Sequence, residues 1–164
     1  MKKDTTVVLS FFPNAIGFGY VCLETPQKLL KSGIIKVRPI CNGPILKQVK
    51  ELVELFNPTI VIVRDFDSNP PHRNKRVQQA ISGITTYAKE QHIPIYRYSR
   101  QQIRDVFEQF GATSKYEISK KIIEWFPVLA DLAPVKRKPW VPEDYQYGIF
   151  DALALAITHQ YLNE

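Results

Sequence analysis

The residues of this chain with the plainest chemistry are cations that fall in four short groups, because lysine and arginine in loops or at helix starts can hold phosphate oxygens. The groups are Arg73-Asn74-Lys75-Arg76; Arg97, Arg100 and Arg104; Lys115, Lys120 and Lys121; and Lys136-Arg137-Lys138. The first and last stand beside proline or asparagine, where a backbone can come close to a phosphate. Arg73, Lys75, Arg76, Arg100, Lys120, Lys136, Arg137 and Lys138 are the candidate nucleic-acid contacts. A solvated surface is the competing use, and Lys47, Lys50 and Lys89 show that ordinary helix faces here are basic too. Phe11, Phe12, Tyr116, Trp140, Tyr145 and Tyr147 offer rings for stacking on bases, although packing is the commoner use of any single ring.

Other chemistries find little support. Cys22 and Cys41 have neither a partner pattern nor the spacing of a zinc site, so both are expected to be small packing residues in a reducing compartment. His72, His92 and His159 are far apart in sequence and read as surface or capping residues. The formal net charge of +6 over 164 residues favours a polyanionic partner, either nucleic acid or an anionic membrane surface. Residues 5–23 carry no charge and superficially suggest a membrane segment. Pro13, Asn14, Gly17 and Gly19 split them into two short strand-like pieces, so no membrane association and a cytoplasmic location are expected.

The elements that must position these residues follow from periodicity. Thr5–Phe12, Ile16–Glu24 and Gly33–Arg38 read as three strands of an antiparallel meander, with residues 25–32 as a connection. Leu46, Val49, Leu52, Val53 and Phe56 recur at helical spacing, and the β-branched run Thr59–Val63 reads as a strand covered on both faces. A helix over about Arg73–Gln91 leads to a strand over Ile93–Tyr98. Two helical patterns follow, broken at Gly111 and resuming near Ser114, with Ile118, Ile122, Trp125 and Phe126 on one side and an end at Pro127. A last helix opens at Glu143 or Asp144 and carries Ile149, Phe150, Leu153, Ala156 and Ile157. The expected architecture is a single α/β domain over residues 1–164, an antiparallel three-strand meander plus parallel strands, flanked by helices.

In that order the motifs resemble the RuvC-type Holliday junction resolvases, a family of ribonuclease H-like fold. Phe150-Asp151-Ala152-Leu153-Ala154-Leu155-Ala156 is similar to the family's acidic-x-x-Asp-Ala-Leu-Ala-x-Ala helix. The stretch Gly83–Lys89, Ile93–Tyr98 and Arg100–Ile103 stands where the family has a helix, a strand and a helix start. Val8–Asn14 with Gly17-Phe18-Gly19-Tyr20 stands in place of a hydrophobic-Asp-Pro-Gly turn and a Gly-Tyr strand. The resemblance implies a ribonuclease H-like mixed sheet, DNA as partner, a homodimer, and a site where four carboxylates hold two divalent ions against a phosphate.

Carried over residue by residue, three of those four positions fall on Phe12, Arg64 and Gly148, and only Asp151 keeps its acid. A phenyl ring cannot ligate a cation and a guanidinium repels one. The expected function is therefore binding of branched or duplex DNA with hydrolysis lost or impaired and no cofactor. The alternative is an active endonuclease whose Mg2+ or Mn2+ is held by Asp65, Asp67 and Asp151, with Glu143 or Asp144 in support. Asp65 is one residue beyond Arg64, which reverses its face unless the strand end redirects it. Arg64 is alternatively a permanent cation for Asp65, Asp67 or Asp151. A further alternative is a non-catalytic interaction scaffold, which could dimerise through the helix bearing Val77, Ile81 and Ile84 if those residues are exposed.

Overall fold

A computed structural model describes residues 6–24, 27–37, 42–66, 75–134 and 147–163. Asp67, His72, Arg73, Asn74, Lys136, Arg137, Lys138, Trp140, Glu143, Asp144 and Tyr145 lie outside the described residues, as do Arg38 and Cys41.

The β-branched and aromatic amino-terminal run forms β1 (Val7–Asn14) and β2 (Gly17–Glu24), joined by a two-residue turn and paired antiparallel from Val7↔Glu24 to Asn14↔Gly17. Gly17 has a φ of +147°, and a Cβ there would run into the Ile35 carbonyl, so the turn requires glycine. The third strand, β3 (Lys28–Lys36), pairs antiparallel with β2 and shifts register between Cys22 and Leu23. It starts five residues earlier than its sequence suggests. It is an edge strand whose Lys28 and Lys31 blunt the exposed side, and that composition resembles a connection.

The amphipathic segment after it forms α1 (Asn42–Phe56), burying Ile45, Val49, Leu52 and Val53. The apolar run that follows is β4 (Ile60–Arg64), parallel to β1, and α2 (Lys75–Glu90) crosses over to β5 (Ile95–Tyr98), parallel to β4. The strand order is β3-β2-β1-β4-β5, which leaves β1 in the middle and β4 internal. Val77, Ile81 and Ile84 face inward and are at most 5% exposed, so the condition for α2 to dimerise through them is not met.

Beyond the sheet come α3 (Arg100–Glu108) and α4 (Lys115–Trp125). Each is opened by a reciprocal capping box, Ser99 with Gln102 and Ser114 with Glu117. The helix α4 ends ahead of Pro127 as expected, and a 3-10 turn over Pro127–Leu132 then buries Leu129. The last helix, α5 (Tyr147–Leu162), is buried from Tyr147 to Thr158 because the sheet lies on one side of it and α3 and α4 on the other. Strand alternation divides the core accordingly. Val8, Phe12 and Ile62 point toward α5, while Leu9, Phe11, Val61 and Val63 point toward α1 and α2.

Candidate functional site

The parallel strands β1, β4 and β5 all run toward one end of the sheet, and the starts of α3 and α4 meet α5 there. In such sheets ligands bind beyond the carboxyl ends of the strands. A pocket of about 360 Å³ opens at this end, lined by Phe12, Asn14, Ala15 and Ile16 of the first hairpin, Arg64 of β4, Arg100, Lys115, and Tyr147, Gly148 and Asp151 of α5.

Phe12 is 1% exposed. The guanidinium carbons of Arg64 and Arg100 lie 4.8 Å and 4.7 Å from its ring centre. Both contacts are in cation–π range, so the ring holds two fixed cations. Arg64 also donates from Nη1 to the Pro13 carbonyl at 2.9 Å, which ties the end of β4 to the end of β1. Asp151, buried on the first turns of α5, accepts from Arg100 Nη1 through Oδ1 at 2.9 Å and has Lys115 Nζ 3.6 Å from Oδ2. A buried carboxylate requires such partners, since an unpaired one would carry a large desolvation cost. Arg100 and Lys115 are cationic partners of Asp151, and Arg64, which sequence reasoning offered as a partner for Asp65, Asp67 or Asp151, lines the same pocket. Lys115 additionally lies 5.2 Å from the Tyr147 ring.

Asp65 does not line this pocket. Its amide extends the β4–β5 ladder by donating to Tyr98, and its Oδ1 accepts from the Phe66 amide at 2.8 Å and lies 3.6 Å from Arg97 Nε. Arg64 shares the face of Ile62 and Phe12, and the next residue has turned away, as strand alternation requires. Divalent ions need several converging oxygen donors. Phe12, Arg64 and the side-chain-less Gly148 supply none, and both oxygens of Asp151 face cations. Among the described residues no three His, Cys, Asp or Glu side chains cluster as metal ligands do. The described donor set does not fit a pair of divalent ions.

Gly148 has a packing explanation. A Cβ on Gly19 would strike the Gly148 backbone, and a Cβ on Gly148 would lie 3.3 Å from Gly19 Cα, so α5 and β2 meet glycine to glycine.

The other candidate contacts are dispersed. Lys75 lines a separate groove between α1 and α2 with Leu46, Lys50 and Phe66, and Arg76 is exposed beside it. Lys120 is exposed on α4 with its Nζ 5.2 Å from the Tyr116 ring. Phe11 and Tyr147 are buried, so with Phe12 they serve packing rather than presenting open faces. Sequence reasoning passed over Lys115 in favour of its neighbour Lys120. The available signal was the pair of boxes Ser99-x-x-Gln102 and Ser114-x-x-Glu117, which make Arg100 and Lys115 the first residues of their helices. His159 is a structural partner. Its Nδ1 is 2.7 Å from the Tyr98 hydroxyl, its ring packs 4.4 Å from Tyr96, and burial lowers its pKa.

No family model matches the chain. It is 23% identical over 167 residues to the crossover junction endodeoxyribonuclease RuvC of Baumannia cicadellinicola, covering 97% of this chain and 89% of that protein. It is 26% identical over 162 residues to the same enzyme of Histophilus somni, covering 94% and 79%. Thermus thermophilus RuvC in complex with a Holliday junction substrate superposes with a TM-score of 0.72 at 22% identity, covering 96% of this chain and 94% of that one. The yeast mitochondrial Holliday junction resolvase shares the fold at a TM-score of 0.58 and 13% identity, covering 95% and 83%. No helix among the described residues is long and apolar enough to cross a membrane. In sequence along nearly its whole length, and in its fold, the chain is similar to the RuvC-type Holliday junction resolvases.

Proposed function

We propose that this single-domain protein binds branched DNA in the cytoplasm without hydrolysing it. The observation that carries the reading is Asp151 held between Arg100 and Lys115, beside the Phe12 ring with the Arg64 and Arg100 guanidiniums over it. Such a site attracts the phosphate backbone and repels the ions that would cut it. The fold and the RuvC relatives support a DNA partner, and the charge of +6 is of the right sign. Arg100 belongs to the pocket itself. Lys75, Arg76 and Lys120, with Arg73, Lys136, Arg137 and Lys138, would add contacts along the flanking backbone.

The test is binding and cleavage of a labelled four-way junction and a matching duplex at two salt concentrations, with magnesium, manganese or chelator. The reading expects junction binding whose log affinity falls with log salt by about 0.9 per phosphate contact, and no metal-dependent product. Cutting that Asp151→Asn abolishes would overturn the silent-site reading and install Asp65, Asp67 and Asp151 as ligands. Absence of binding to either DNA would leave an interaction scaffold.

A further inference from the structure

We propose that the pocket at the ends of β1 and β4 is a metal-independent phosphate seat, in which Arg64, Arg100 and Lys115 receive one phosphate group and Asp151 is the internal anion with which that phosphate competes. The proposal rests on the DNA-binding reading above and specifies what its central site holds.

Among the described lining side chains there are three cations and one carboxylate, and the pocket is open enough for a ligand. Arg100 carries five N–H donors in a planar fork, and the hydrogen bond to Asp151 uses one of them. Its guanidinium lies over the Phe12 ring, which fixes the orientation of the fork at little cost in conformational freedom. Arg64 is fixed by the same ring and by the Pro13 carbonyl. Arg100 and Lys115 are the first residues of α3 and α4, so two helix starts border the pocket and add positive potential to that of the side chains. Asp151 then has two effects. It keeps the cations together when no phosphate is bound, and it weakens phosphate binding by competing for Arg100 and by like-charge repulsion.

The sign of the Asp151 effect distinguishes this seat from a metal centre, where the acid is required. In excess chelator, inorganic phosphate is titrated against the full chain while the arginine Nε–Hε resonances are followed, and junction binding is measured in parallel. Phosphate is expected to shift the Arg64 and Arg100 resonances. Asp151→Asn is expected to bind phosphate about tenfold more tightly, and a gain of affinity cannot come from misfolding. Arg100→Lys is expected to lose about tenfold, because an ammonium cannot reproduce the bidentate fork, while Lys28→Ala at the far end of the sheet changes binding less than twofold. Unmoved arginine resonances, or weaker phosphate binding by Asp151→Asn, would overturn the seat. If the junction binds but phosphate does not, the seat fails and the DNA reading stands. If phosphate shifts the resonances but no junction binds, the DNA reading fails and the seat stands, with a free phosphate or phosphomonoester as its ligand.

Discussion

Phe12 combines two roles that one residue rarely holds, a fully buried core ring and the floor under two guanidiniums. Phe12→Ala removes both, and large-to-small changes of this kind cost about 3–5 kcal/mol. The expected result is a loss of that size in chemical denaturation, with weaker junction binding as Arg64 and Arg100 lose their support. Phe12→Asp does not restore a nuclease. The new carboxylate would pair with the two arginines already over its position, and Arg64 and Gly148 would still supply no oxygen donor, so no cleavage is expected in a junction assay with magnesium or manganese. That Phe12, Arg64 and Gly148 supply no oxygen donor was legible in the sequence, because residue type alone decides whether a side chain can ligate a metal. The partners of Asp151 were not, because Arg100 and Lys115 reach it from helices 51 and 36 positions away in the chain, and no local pattern records such a meeting.

At the scale of elements, the site depends on how deeply α5 settles on β2. The Gly19–Gly148 contact sets that depth and so places Asp151 one turn further along. The two glycines are not equivalent. Gly19→Ala drives a methyl into the α5 backbone, which must move, and overpacking of this kind costs about 1–3 kcal/mol. Gly148→Ala needs only a few tenths of an ångström from Gly19 and gains helix propensity worth up to about 1 kcal/mol, so its net effect is expected to be small. Thermal denaturation of the two variants should separate them, and junction binding should weaken only for Gly19→Ala. Most elements were readable from apolar periodicity, including β4 and α2. The failures have local causes. Lysines on the edge strand β3 hid its first half, and the 3-10 turn that Pro127 opens went unread although the end of α4 before that proline was read.

For the whole molecule, the buried titratable groups define a pH window of stability. His159 packs against Tyr96 and Tyr98, and burial lowers its pKa from the ordinary 6.5. The folded state therefore prefers the neutral imidazole, and its contribution is complete above pH 6.5 and is lost as pH falls through the lowered value. Cys22, fully buried in β2, is pushed up from 9.0 to about 11, first by burial and then by Glu24. Here the folded state prefers the thiol, so the contribution is complete below pH 9.0 and declines as pH rises toward 11, at about 1.4 kcal/mol per pH unit for one proton. Tyr20 and Tyr98, both raised by burial, extend the decline above pH 10. Denaturation midpoints measured across pH should thus be level between about pH 6.5 and 9 and fall on both sides. Cys22→Ala is expected to flatten the first part of the alkaline limb while leaving the acid limb unchanged, and His159→Gln to flatten the acid limb below pH 6.5. An alkaline limb unaltered by Cys22→Ala would assign it to the tyrosines. That limb would then begin one pH unit higher, because the ordinary tyrosine value is 10.0 and both rings are raised above it.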